Sequence, residues 1–193
     1  VRGTNNKVVG NKFRRWTTAG VIVLGDNNTD ARYYNEVAYN EIGPCGSGAA
    51  AVYRWGIKGY SGSAESSVAK YTWIHHNWFR DYNVGFTDTA SSRGDAVEAG
   101  ESGLVSWANT ISAGWYIEDN VITNAQMGGE ALFDIKYGGC VMRRNTVDAD
   151  SSDVKIQARL GNYSILESNY MADGTLQVNG MGHKIVGNYG RVR

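Results

Sequence analysis

Residues 128–169, GGEALFDIKYGGCVMRRNTVDADSSDVKIQARLGNYSILESN, decide the fold of this chain. They contain two consecutive repeats in which a short strand-like segment leads to an asparagine, first Asn145 and then Asn169. The same pattern recurs along the chain, at Asn11, Asn40, Asn77, Asn120, Asn145, Asn169 and Asn188. Short strands repeated at such intervals are typical of solenoids. We therefore predict an all-β fold, a single-stranded right-handed parallel β-helix of about seven coils.

The spacing of the asparagines changes along the chain. The later ones follow one another after 19 to 25 residues, but the gaps widen to 37 residues before Asn77 and 43 residues before Asn120. The wide gaps predict loops inserted between strands, at residues 59–67, 83–93 and 101–113. Long loops on a solenoid usually border its binding face.

The asparagines have a structural explanation. Asparagine tolerates the left-handed backbone conformation, and its amide can bond to the same amide on the next coil. We expect these residues to form a ladder of asparagine turns that does no chemistry. The period of two in residues 154–159, VKIQAR, places the apolar side chains inside and Lys155, Gln157 and Arg159 outside.

Composition limits the function classes. The 193 residues suffice for one domain with a real core, which we place at 1–193. With 19 basic and 19 acidic residues the net charge is zero, which argues against nucleic-acid binding through bulk charge. No apolar run approaches the roughly 20 residues of a membrane span. Cys45 and Cys140 are expected to be buried free thiols, with a disulfide as the alternative.

The candidate chemistry lies around Lys136 and Arg159. On residues 130–136 the alternation turns Asp134 and Lys136 outward, together with Glu130 and Leu132. If consecutive coils are in register, Lys136 and Arg159 lie about 4.8 Å apart in the stacking direction. Two cations at that distance lower the pKa of the lysine, which then serves as a base, and they suit an anionic ligand.

The histidines offer no such site. His75 and His76 are adjacent, so on a strand they are expected to point to opposite faces. No pair of histidines has the spacing of zinc ligands.

Several motifs, in this order, resemble those of one known family. They are IHHNWF (74–79), GDAVEAGES (94–102), GEA (129–131) leading to Lys136, RRNTV (143–147), RLGN (159–162) and GHKIVGNY (182–189). The chain resembles polysaccharide lyase family 6, the chondroitinase B and alginate lyase group, from about residue 35 onward. That family folds as right-handed parallel β-helices.

The resemblance implies a function for individual residues. Lys136 matches the base that removes the C5 proton of a uronic acid, and Arg159 matches the arginine that stabilises charge or assists departure of the 4-linked sugar. Tyr137, Arg143 and Gln157 are the predicted substrate-binding residues. The polymer would be an acidic polysaccharide such as alginate or a dermatan- or chondroitin-type glycan.

The resemblance also implies a calcium ion that neutralises the uronate carboxylate, with Glu130 and Asp95 as its candidate ligands. Leu132 stands where the family has a second acid, and Leu160 where it has a histidine. The family's N-terminal coils and cap have no counterpart here, so an open β-helix end predicts a cap, a partner or an oligomer. A secreted, periplasmic or extracellular location is implied by the resemblance alone.

Other functions fit the same fold. One is a carbohydrate-binding β-helix without catalysis, of the tailspike or adhesin type, whose aromatic residues stack on sugar rings. The candidates are Trp55, Trp78, Trp107, Trp115 and Tyr137. The others are a uronate epimerase, a glycoside hydrolase, which would need two facing carboxylates, and a purely structural β-helix.

Overall fold

The chain winds through seven coils of parallel strands in a computed structural model, as the asparagine repeat predicts. The structure describes residues 2–16, 19–24, 34–44, 55–60, 69–82, 94–100, 113–125, 131–149, 154–159 and 161–192. All of the regular elements in these ranges are strands. The three predicted loops fall almost wholly outside them, as do Cys45, Trp107, Glu130 and Leu160.

The strands are short, as expected for a chain that bends several times per coil. They are β1 (Lys7–Val9), β2 (Lys12–Phe13), β3 (Ala19–Leu24), β4 (Glu36–Ala38), β5 (Glu41–Ile42), β6 (Trp55–Tyr60), β7 (Trp73–His75), β8 (Trp78–Arg80), β9 (Val97–Ala99), β10 (Tyr116–Glu118), β11 (Val121–Ala125), β12 (Phe133–Ile135), β13 (Val141–Arg143), β14 (Thr146–Ala149), β15 (Val154–Ala158), β16 (Ile165–Glu167), β17 (Tyr170–Val178), β18 (Lys184–Val186) and β19 (Tyr189–Val192).

Three faces result from stacking these coils. The first face consists of β1, β4, β7, β10, β13, β16 and β18. The second consists of β2, β5, β8, β11, β14, the start of β17 and β19. The third consists of β3, β6, β9, β12, β15 and the end of β17. Every one of these pairings is parallel, so equivalent residues of successive coils form straight rows.

The predicted asparagine ladder joins the first and second faces. The side-chain amide of Asn120 donates to Asn145 Oδ1 at 3.0 Å, while Asn120 Oδ1 accepts from the Asn77 amide at 3.0 Å. The same step recurs between every consecutive pair from Asn11 to Asn188, over 2.8–3.2 Å. Asn120 also donates to the main-chain oxygen of Ile74, so the ladder satisfies backbone groups at the bend.

The left-handed position differs from the expected one. It is occupied by the residue before each asparagine, with φ between 53° and 72°, and not by the asparagine itself. These residues are Gly10, Tyr39, His76, Asp119, Arg144, Ser168 and Gly187. Only two are glycine, so the remaining five tolerate a conformation that costs of order 1 kcal/mol. The hydrogen bonds of the ladder hold them there.

The core lies between the three faces. Ile74, Ile117, Met142 and Leu166 form its row on the first face, and all are buried. On the third face Val97, Phe133, Ile156 and Leu176 form the facing row, which confirms the predicted inward position of Ile156. Ala158 is inside too, as predicted.

Two further side chains belong to this interior. Leu132 is buried in the hydrophobic cluster, so its predicted outward position is wrong. Cys140 is a buried free thiol, as expected, and burial raises its pKa to about 12. Within the described ranges there is no helix long and apolar enough to cross a membrane.

The ladder yields a stability prediction. Asn120→Ala removes an amide from the buried middle of the stack. It deletes the hydrogen bonds that Asn120 donates to Ile74 O and Asn145 Oδ1 and those that Asn120 Oδ1 accepts from the main chain and amide of Asn77, so we expect a loss of about 3 kcal/mol in unfolding free energy. Asn11→Ala, at the exposed end of the same stack, is the matched control and should cost about 1 kcal/mol or less. Urea denaturation measures both losses. A loss for Asn120→Ala no greater than that for Asn11→Ala would contradict stabilisation by the buried part of the ladder.

Candidate active site on the third face

A row of polar side chains runs along the outside of the third face. Lys58, Glu98, Asp134 and Gln157 come from β6, β9, β12 and β15, and the parallel register sets each beside the next. Each is flanked in its own strand by inward apolar residues, which fixes its outward direction. All four are nevertheless buried.

Lys136 and Arg159 join this row from the residues that follow β12 and β15. Lys136 Nζ lies 2.7 Å from Glu98 Oε1 and 3.3 Å from Asp134 Oδ2. Arg159 Nε and its terminal nitrogen each lie 3.3 Å from Asp134 Oδ2. The two predicted cations therefore meet on neighbouring coils, at one shared carboxylate.

Exposure separates these two cations. The Arg159 side chain is 21 % exposed, whereas that of Lys136 is 4 % exposed and that of Asp134 is fully buried. Of the two predicted cations, Arg159 is therefore the one that solvent or a ligand reaches.

Among the residues that the structure describes, the cluster contains three basic and three acidic side chains. Its third base is Lys58, with Nζ 3.6 Å from Glu98 Oε1 and 3.4 Å from the centre of the Trp55 ring. Its third acid is Asp95, which is buried and accepts a hydrogen bond from the main-chain N–H of Ala131 at 3.2 Å. Buried charges require such pairing, because an unpaired one would be strongly destabilising.

Burial dominates the acid–base properties of the carboxyl groups. It raises the pKa of Asp134 to about 6, against the opposing effect of Lys136. It also raises the pKa of Asp95, reinforced by the negative charges of Asp134 and Glu98. A group with a pKa near neutrality can exchange protons at physiological pH, which is typical of functional sites.

The expected lowering of the lysine pKa is wrong. Burial lowers the pKa of Lys136, but the charges of Asp134 and Glu98 together outweigh burial, so the pKa is raised. Arg159 does not reverse this, because Asp134 lies within 3.3 Å of both cations. Lys136 is therefore an ammonium group in the free protein.

Gln157, a predicted substrate contact, belongs to this cluster and lies opposite Asp134 in the pairing of β12 with β15. Its amide lowers the pKa of Asp134, although Asp134 Oδ1 and Gln157 Nε2 are both buried without a hydrogen bond of normal geometry to any described residue.

The other predicted site residues lie elsewhere. Tyr137 is buried in the core with its ring 5.9 Å from that of Trp115, so it does not lie beside the cluster as a substrate contact. Arg143 belongs to β13 on the first face and pairs with Glu118, because residues of equal parity can lie on different faces of a β-helix. Glu130 lies outside the described residues.

Sequence reasoning missed Lys58 and Glu98. Each is a single charge in an otherwise apolar or glycine-rich strand, WGIKGY and VEA. That isolation is a usable signal, because a lone charge flanked by inward residues must find a partner. The unequal spacing of the early coils concealed which partner it was.

The two adjacent histidines also depart from expectation. His76 has φ of 53°, which breaks the strand alternation, so His75 Nδ1 and His76 Nδ1 meet at 2.9 Å instead of pointing to opposite faces. They lie on the first face, away from the cluster described above.

Comparisons with known proteins identify no relative. No family model matches the chain, and no curated protein or solved structure is significantly similar to it.

The calcium site stays a prediction, because Glu130, one of its two candidate ligands, lies outside the residues that the structure describes. Those described residues contain no group of three or more His, Cys, Asp or Glu side chains arranged around a metal position. Asp95, the described candidate ligand, belongs to a cluster whose three acids are already matched by three bases. A role for Glu130 stays a prediction.

The raised pKa of Asp134 makes stability depend on pH. Folded protein keeps this proton at pH values where the unfolded chain has lost it, so the stabilisation is complete below about pH 4 and is lost as the pH rises through about 6. The unfolding free energy of Asp134→Asn minus that of the wild type should therefore increase by up to about 3 kcal/mol from pH 4 to pH 7. Unfolding free energies across that range measure the gain.

Asp119→Asn is the matched control for this experiment. The hydrogen bond from Arg144 lowers the pKa of Asp119, so its stabilisation is complete above the ordinary pKa and is lost as the pH falls. Its substitution should cost stability at neutral pH and less in acid. A gain for Asp134→Asn that does not change with pH would contradict the raised pKa.

Proposed function

We propose that the protein is a polysaccharide lyase that cleaves a uronate-containing polysaccharide, such as alginate or a dermatan- or chondroitin-type glycan, by β-elimination. The observation that carries this proposal is the convergence of Lys136, Arg159 and Asp134 on the third face. A buried ion-pair cluster is weak evidence for stabilisation, so a catalytic use explains it better. The motif resemblance to polysaccharide lyase family 6 supports the same chemistry.

Arg159 is the group that receives the substrate. It is the partly exposed cation of the pair, and its planar guanidinium suits two-point binding of a carboxylate. A uronate that binds Arg159 competes with Asp134, because Asp134 Oδ2 contacts the Arg159 guanidinium in the free protein. Substrate binding at Arg159 therefore leaves the Asp134 carboxylate paired with Lys136 and no longer with Arg159.

The pKa shifts assign the proton transfers. Asp134, with a pKa of about 6, is ionised at neutral pH and accepts the C5 proton. The electron pair of the C5–H bond forms the C4–C5 double bond, and the C4–O bond breaks. The departing oxygen takes a proton from the Lys136 ammonium, whose raised pKa suits it as a donor and not as the base. Arg159 stabilises the charge on the carboxylate as the proton leaves C5.

A second candidate is a carbohydrate-binding β-helix without catalysis. The burial of Lys136 and Asp134 favours it, because a polymer bound at Arg159 need not reach them. Of the aromatic residues proposed for sugar stacking, Trp78 is exposed on the second face, whereas Trp115 and Tyr137 are buried.

Substitution of Arg159 tests the lyase. Arg159→Gln should lower kcat/KM by about 100-fold or more, because charge stabilisation in the transition state is lost. Arg14→Gln, which removes an exposed arginine paired with Glu41 of β5 on the second face, should leave kcat/KM unchanged. The assay is the ultraviolet absorbance of unsaturated uronate released from alginate, dermatan sulfate or chondroitin sulfate.

Lys136→Ala is less informative, since it leaves Glu98 and Asp134 without their common cation and is expected to destabilise the fold by several kcal/mol. Absence of unsaturated product from all three polymers would contradict the lyase. Polymer binding at Arg159 without product would select the binding module.

A further inference from the structure

The first face carries a second array of functional side chains, separate from the cluster on the third face. Its outward row places Trp73 of β7 beside Tyr116 of β10, and the two are 42 % and 43 % exposed. Large aromatic side chains at this exposure on neighbouring coils form a continuous apolar surface, which commonly marks a binding site.

Two contacts hold the Trp73 side chain in place. Its ring lies parallel to that of His75 at 3.7 Å between centres, with 25° between the planes. Its indole N–H donates to Glu118 Oε1 at 2.6 Å. With one ring face covered and the N–H engaged, the opposite ring face is presented to solvent in a single orientation. Such preorganisation lowers the entropic cost of binding.

A relay of hydrogen bonds fixes His75 beneath Trp73. His75 Nε2 lies 3.2 Å from Glu36 Oε1, and Lys7 keeps the pKa of Glu36 low, so this carboxylate is an acceptor. The other ring nitrogen of His75, Nδ1, lies 2.9 Å from His76 Nδ1, so both nitrogens of the His75 ring have a polar neighbour. The buried imidazole serves as a rigid support for the indole.

Further aromatic pairs border the surface formed by Trp73 and Tyr116, which we call the platform. Tyr34 and Tyr71 stack at 5.3 Å on the turn that leads into the first face, and Tyr39 stacks on His76 at 5.0 Å on the turn that leaves it. Tyr34 and Tyr39 are both exposed. The platform is therefore wider than one strand and extends over three coils, about 10 Å along the axis.

The charges on this surface are already paired. Glu118 contacts Arg143 and Arg144, Asp119 contacts Arg144, and Glu36 contacts Lys7. These pairs leave hydrogen-bonding capacity without net charge, which suits hydroxyl groups better than carboxylates.

We propose that the first face binds an uncharged, β-linked polysaccharide, with the apolar C–H face of a sugar ring stacked on Trp73. Tyr116 extends the stacking surface by one coil, and the partly exposed Arg143 and Arg144 bind hydroxyl groups. This site is independent of the acid–base cluster, so the protein would contact two different glycans or two segments of one heteropolymer.

Paired aromatic variants test the proposal. Isothermal titration with cellohexaose, xylohexaose and mannohexaose should detect binding of at least one by the wild type. Trp73→Ala should weaken it at least tenfold, and Tyr116→Ala should weaken it less. Tyr170→Ala is the matched control, because Tyr170 is 45 % exposed on the second face and stacks on Tyr189. It should bind as the wild type does.

The proposal would be overturned by no binding of any of the neutral hexasaccharides, by equal affinity of Trp73→Ala and the wild type, or by an equal loss of affinity in Tyr170→Ala. Tighter binding of an alginate hexasaccharide at Trp73 would likewise contradict an uncharged ligand. The lyase assay with Trp73→Ala keeps this test separate from the proposed activity, since it should proceed at the wild-type rate on short alginate oligosaccharides.

Discussion

Hydrogen bonds between asparagine side chains of neighbouring coils are the constraint on which the rest of this structure depends. Each amide both donates to and accepts from its neighbours, so no coil can slip by one residue without breaking two steps of the stack. A slip would also exchange the inward and outward rows. The asparagine stack between the first and second faces thus fixes the register of the third face. That register places side by side Lys58, Glu98, Asp134 and Gln157.

The two candidate sites use this register in different ways. On the third face it gathers charges. Burial raises the pKa of Asp134, whereas the charges of Asp134 and Glu98 outweigh burial and raise the pKa of Lys136, so an acid near neutrality adjoins a protonated lysine. On the first face it arranges planar rings, and the ion pairs beneath them act as supports. The same rigid scaffold supplies both, because neighbouring strands hold each side chain in place.

The fold could be predicted from the sequence because its signals are local. The asparagine repeat and the alternation around Ile156 each lie within a few residues. The site was harder to predict, because parity distinguishes inside from outside but not one face from another. Arg143 therefore appeared to accompany Lys136 and does not. His76 escaped the strand rule through its left-handed backbone, and the pKa of Lys136 depended on Glu98, whose position only the assembled coils reveal.

Because each coil contacts only the coils on either side of it, whole turns are natural units of gene duplication and loss. An extra turn inserted between Glu98 and Asn120 would keep every amide partnered, yet it would move Glu98 one strand spacing farther from Lys136 and divide the cluster. Turns added beyond the fifth coil would leave the cluster intact. Evolution can therefore lengthen this protein freely toward its carboxyl end, while the number of windings from Lys58 to Arg159 is fixed by their chemistry.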